Sequence, residues 1–227
     1  MSNPIKPTIK TEFFPLAILV LTAAAAIFFF NNLPERVATH WNFAGQVDAY
    51  GSGRAQAIAI PIMAAGMYLL FLLLPYLDPK KERYEQFSKV YHIFKNMILA
   101  LLIIIYFVVG LNGLGYNLPV GVIIPVLIGL LFIIIGNYLG KIKRNWFMGI
   151  RTPWTMSSEE VWNKTHRFGG KMFILAGLLM MLETVLPNSF KLPIFIIMMI
   201  ALLFGTIGYS YIVYLQEKKN TNPPAGK

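Results

Sequence analysis

Apolar residues in this chain gather into six long runs, each bounded by short polar or glycine- and proline-bearing segments. The runs cover residues 13–31, 55–77, 91–114, 119–140, 170–187 and 192–215. A helix needs about 20 apolar residues to cross a hydrocarbon core of roughly 30 Å, so all six qualify, the fifth being the shortest. The pattern predicts an all-α polytopic membrane protein with six transmembrane helices. Pro61 and Pro125 fall inside the second and fourth spans, where each is expected to mark a kink. Lys6 and Lys10 followed by an apolar run ending near Ala23-Ala24-Ala25 imitate a secretion signal, but the run continues through Ile27-Phe28-Phe29-Phe30, so a retained helix is expected.

The polar segments set the organisation. A short N-terminus (1–12) precedes a first hairpin (13–77) whose connecting loop spans 32–54, then a second hairpin unit (78–140) opened by a loop at 78–90. A long loop (141–169), a third hairpin (170–215) and a tail read as disordered (216–227) complete the chain. Leu-Pro recurs after spans at Leu33-Pro34, Leu118-Pro119 and Leu186-Pro187, a pattern that a repeated hairpin or ordinary helix-end proline would both produce. Of the 20 lysines and arginines, 15 lie in the N-terminus, the second and fourth loops and the tail, and Lys171 lies at the start of the fifth run beside them, against three in the other loops. That asymmetry predicts both termini in the cytoplasm.

Composition agrees: 56% of residues are hydrophobic and 13% charged, about half the charged share of a soluble domain. A net charge of +10 does not indicate direct nucleic-acid binding, because the basic residues sit between apolar runs rather than on one soluble face. The absence of cysteine excludes disulfides, thiolate catalysis, cysteine-based zinc sites and iron–sulfur clusters. No cofactor is expected. Motifs such as H-E-x-x-H and G-x-S-x-G and paired intramembrane aspartates are missing, which points away from an enzyme.

Two loops are longer and denser than connectors need to be. The outer one carries His40-Trp41-Asn42-Phe43 with Gly45, Asp48 and Gly51, a structured turn with aromatics suited to a water–lipid boundary. His40, Glu35 and Asp48 at loose spacing are a poor match to a metal site. The inner one runs from Asn145 through Gly149, Arg151-Thr152-Pro153-Trp154-Thr155 and Glu160 to Trp162 and Thr165-His166. Ser157 and Glu160 form a capping-box pattern, so a short interfacial helix is expected to begin there. Val161, Thr165 and Phe168 share one face of it, with Trp162 and His166 beside them, and Gly169-Gly170 end it or bend it into the fifth span.

Four polar positions within the spans bear on function. Glu183 is the one acidic residue inside the predicted runs and should be protonated, paired or facing a hydrated cavity. Lys95, near the inner end of the third span, is expected to snorkel to the surface rather than reach Glu183. Asn112 is the better hydrogen-bond candidate for Glu183, and Asn137 for the inner half.

Taken in order, Leu33-Pro34…His40-Trp41-Asn42…Gly45…Asp48…Gly51 and Asn145-Trp146-Phe147-Met148-Gly149-Ile150-Arg151-Thr152-Pro153-Trp154-Thr155…Trp162…Thr165-His166 resemble the SdpI family of bacterial membrane proteins, including the small domain of unknown function that opens them. The resemblance implies a multi-pass protein of the bacterial plasma membrane that confers immunity to a secreted antimicrobial peptide toxin. In the best-known case such a protein also senses the toxin and sequesters a cytoplasmic transcriptional repressor. Expected partners are thus membrane lipid, a toxin peptide meeting the outer surface, and a repressor meeting the loop around Arg151, Trp154, Trp162 and His166. A small-solute or proton-coupled transporter is the alternative that Glu183 and the proline-bearing spans leave open.

Overall fold

The computed structural model describes residues 5–221. Six helices in it are long and apolar enough to cross a membrane. They are α1 (Ile9–Asn32), α2 (Gly53–Leu77), α3 (Ser88–Gly113), α4 (Val120–Leu139), α6 (Glu159–Leu182) and α7 (Asn188–Thr221), with the one-turn α5 (Pro153–Ser157) before α6. Their outer faces stay apolar and uncovered, as at Phe13, Leu21 and Phe28 on α1 or Ile197 and Phe204 on α7. In water such faces would associate; in a bilayer they meet lipid.

Helix boundaries depart from the apolar runs in instructive ways. α1 starts four residues before its run, because Thr8 and Thr11 cap it reciprocally, each side chain accepting the other's backbone N–H at 3.2 and 2.9 Å. That start brings Glu12 inside the helix. The loop at 78–90 is largely helical, with a 3-10 turn at Lys81–Phe87 leading into α3. The expected interfacial helix is not a separate piece: capped by Ser158, one residue later than predicted, it runs through Gly169-Gly170 unbroken to Leu182. Both glycines are buried against neighbouring helices, so they serve packing rather than a bend. α7 continues to Thr221, past the predicted end at 215, and the rest of the expected tail lies outside the described residues.

Two groups of helices result. α1, α2 and α3 pack on one another, and α6 lies between α4 and α7. α4 and α6 approach along a seam of paired glycines. A Cβ on Gly129 would lie 2.7 Å from the carbonyl oxygen of Gly177, and one on Gly170 would lie 2.6 Å from that of Gly136. Small residues at seven-residue spacing let the two backbones touch, which substitutes for the hydrophobic drive that lipid removes.

The ends of the bundle differ. At one end β1 (Arg36–Trp41) and β2 (Val47–Ser52) pair antiparallel as a hairpin between α1 and α2. The other end holds Lys80, Arg83, Lys143, Arg144 and Arg151, and a cluster of Phe71, Tyr84, Phe87, Tyr91, Ile142 and Trp162 joins the two helix groups there. These are called the hairpin end and the basic end below.

Candidate functional site

At the hairpin end the two helix groups part around a cavity of about 420 Å³. Ile105 and Val109 of α3 form one wall, and Val120, Ile124 and Ile128 of α4 another. Met180 of α6 and Phe195 of α7 close the third side, and residues 39–43 of the hairpin form the rim. The walls are apolar apart from three side chains where α6 gives way to α7 at the hairpin end: Glu183, Thr184 and Lys191.

The hairpin is seated on the second helix group by close contact. Gly45 has φ +76°, which its turn requires, and a Cβ on Gly121 would lie 2.7 Å from the Gly45 Cα. Phe43 packs on Phe195 with centroids 5.3 Å apart. Asn42 builds the turn, its Oδ1 accepting the amide N–H groups of Ala44 and Gln46 at 2.9 and 3.0 Å. His40 and Asp48 face each other across the strands at 2.5 Å, and Gly51 leaves room for Thr39 opposite it. Of the outer-loop candidates, then, His40 and Asn42 line the cavity, Gly45 docks its rim, and Asp48 and Gly51 support it from behind. The His40–Asp48 pair is solvent-exposed, so His40→Ala should change thermal stability by less than about 1 kcal/mol, read as a Tm shift in detergent.

Glu183 is 4% exposed, and its Oε2 meets no hydrogen-bond donor. The partner expected for it is engaged elsewhere: Asn112 donates to the carbonyl of Leu118 at 3.4 Å. Asn137 is exposed and donates to Ile133 in its own helix, so it does not tie helices together. Lys191, in the first turn of α7, is buried and lines the same cavity.

At the basic end the signature residues of the 141–169 loop, from Asn145 to His166, fold into a compact hydrogen-bonded knot. Asn145 is fully buried and uses both ends of its amide: Nδ2 donates to the carbonyls of Lys143 and Met148, and Oδ1 accepts from the amides of Phe147 and Met148. Gly149 has φ +107°, and a Cβ there would strike the His166 ring. That ring accepts the Ile150 amide N–H at Nε2 (2.9 Å) and donates from Nδ1 to the Trp162 carbonyl (2.8 Å), which defines the neutral tautomer. Trp162 stacks on it at 4.0 Å and donates its indole N–H to Ile142. Thr152 and Thr155 cap α5 reciprocally with Pro153 in the first turn, and Thr152 also meets Ser210 of α7 at 3.1 Å. Trp154 packs on Tyr211. Thr165 is buried with its hydroxyl unpaired.

Trp162 and His166 are therefore sealed inside and cannot themselves meet a soluble partner. They hold helices. Arg151, which donates to the Trp146 carbonyl, and the half-exposed Trp146 are what this end presents, with Glu160 paired to Lys164 nearby.

Two features were missed in the sequence. Asp78 joins the 78–90 segment to the signature knot: it accepts from the amides of Lys80 and Trp146 and from the Tyr84 hydroxyl at 2.8, 2.8 and 3.0 Å. Beside it Arg83 and Arg144 converge on Glu159. Burial, with the nearby charges of Arg144 and Arg83, lowers the Lys80 pKa below its ordinary value. The second is an ion pair in the membrane. Lys95 does not snorkel; it is 1% exposed and donates to both carboxylate oxygens of Glu12 at 2.6 Å. Tyr68 and Thr11 donate to the same carboxylate. Glu12 escaped notice because it precedes the apolar run by one residue, and its helix by that reading had not begun.

Comparison with known proteins follows the same division of the chain. Residues 141–213 match the SdpI/YfhL protein family, and residues 17–65 match a domain of unknown function, DUF1648. The immunity protein SdpI of Bacillus subtilis (strain 168) is 27% identical over 206 residues, covering 90% of this chain and 96% of that protein. No solved structure matches the chain.

Proposed function

We propose that this chain, a multi-pass bacterial membrane protein carrying the SdpI/YfhL family region behind a DUF1648 region, is an immunity protein that gives resistance to a secreted antimicrobial peptide toxin. The observation that carries the reading furthest is the cavity under the hairpin. It is apolar enough for a membrane-active peptide, it has two buried charges to fix orientation, and it lies between the two helix groups. The excess of lysine and arginine at the basic end supports a cytoplasmic location for that end and both termini, and an extracellular one for the cavity.

A signalling role extends the proposal. The surface around Arg151 and Trp146 is the face offered to a cytoplasmic repressor, and the buried Trp162–His166 stack sets the arrangement of helices beneath it. Against a conduit for solutes stands the lining of the cavity, drawn from the hairpin end alone, while a cluster of aromatic residues joins the two helix groups at the basic end.

The test is survival of a deletion strain exposed to the toxin and complemented with variants. Ile128→Trp fills the cavity from its apolar wall. It should leave the protein monodisperse in size-exclusion chromatography yet lower survival at least about tenfold, the scale of a lost binding contact worth 1.4 kcal/mol. Wild-type protection by a folded, cavity-filled variant would overturn the assignment of this site.

A further inference from the structure

The chemistry of the cavity narrows the part of a peptide that it takes. We infer that Glu183 and Lys191 together receive a free peptide N-terminus, the α-ammonium on Glu183 and the first carbonyl oxygen on Lys191, with apolar side chains entering the slot between Ile105, Ile124 and Phe195. The inference rests on the proposed role of this cavity as the toxin site.

A carboxylate that is 4% exposed, with one oxygen meeting no donor, is costly to maintain in an apolar wall. Lys191, 9% exposed, lines the same space, and the two close no direct ion pair among the described residues. The site thus offers an acceptor and a donor of opposite charge with a gap between them. A lysine side chain of the ligand would satisfy Glu183 but carries no acceptor beside its ammonium for Lys191. A terminal carboxylate would suit Lys191 and repel Glu183. A peptide N-terminus presents a cation and, within the same residue, an uncharged acceptor, which matches both groups. Capture of a peptide's terminal amine is an established recognition mode, elsewhere achieved by backbone groups. The volume, about 420 Å³, lies in the range of roughly 300–1,000 Å³ that holds a small ligand or chain end.

The experiment uses the full chain in lipid nanodiscs and two synthetic probes: the apolar tetrapeptide amide Leu-Phe-Val-Ile with a free α-amine, and the same peptide N-acetylated. The free form should bind at least about tenfold tighter, as loss of a charge-assisted hydrogen bond requires. Glu183→Gln should bring the free peptide down to the acetylated level and leave the acetylated one unchanged. Lys191→Met should weaken both, because both retain the first carbonyl. Equal binding of the two peptides, no binding of the free form, or a gap that survives Glu183→Gln would each overturn the inference. The survival assay with Ile128→Trp keeps the two readings apart. If that variant loses protection while acetylation makes no difference to binding, the cavity stands as the toxin site and the N-terminus is not its ligand. If that variant protects, the cavity itself is not the site.

Discussion

Lys95→Ala should lower folding stability by about 3–5 kcal/mol, because it strands the Glu12 carboxylate inside the first helix group with a partner removed. Tyr68 and Thr11 keep two hydrogen bonds to that carboxylate, but neither supplies a positive charge. The expected readout is a large fall in Tm for the purified protein in detergent, with reduced recovery from membranes. The double substitution Glu12→Leu with Lys95→Met removes both charges at similar volume and should recover most of the loss, since a buried ion pair contributes little beyond an apolar pair of the same shape. If the single variant were as stable as the parent, the pair would not be buried as described. If the double variant were as unstable as the single, the cost would come from packing rather than charge.

The second large effect is expected at the glycine seam. Gly170→Leu would push a branched side chain into the backbone of α4, whose Gly136 carbonyl oxygen lies 2.6 Å from the first added carbon. Backbone cannot rotate away as a side chain can, so α4 and α6 must separate along their length. The cost should reach the upper end of the about 1–3 kcal/mol typical of overpacking, seen as aggregation or loss of the monodisperse peak. Gly66→Ala is the control, since no atom lies within 4 Å of a Cβ built there. It should be neutral or slightly stabilising, because alanine favours helix over glycine by about 1 kcal/mol. Equal behaviour of the two variants would mean that the seam is not in contact.

Much of the architecture was legible because a bilayer allows few solutions. A run of about 20 apolar residues has to be a helix there, since no water exists to satisfy an open backbone. The six spans follow from that alone, and the two dense loops announced themselves by carrying more chemistry than a connector needs. What escaped was pairing across the sequence. Glu12 and Lys95 lie 83 positions apart and Asp78 and Trp146 lie 68 apart, so neither contact has a periodicity to betray it. The cavity is assembled from one β-strand, one turn and the ends of four helices, and no single stretch carries its signature. Trp162 and His166 were visible as important residues but misplaced. A tryptophan beside a histidine suits an exposed surface or a sealed stack equally well, and only the crowding of Gly149 against the His166 ring decides for the stack.

The unbroken course of α6 has one more consequence. Its 24 residues span about 36 Å at 1.5 Å per residue, from Glu159 among the arginines of the basic end to Leu182 beside the cavity. A rod of that length has no internal joint to absorb rotation, and the contact of Gly170 with Gly136 of α4 sits near its middle like a fulcrum. If a ligand wedged under the hairpin displaced the Met180 end by about 1.5 Å, the Glu159 end would swing a similar distance the other way, a tilt of roughly 5° over half-arms set by that helical rise. Glu159 is where Arg83 and Arg144 meet, so the motion would be delivered to the ionic contacts between the two helix groups.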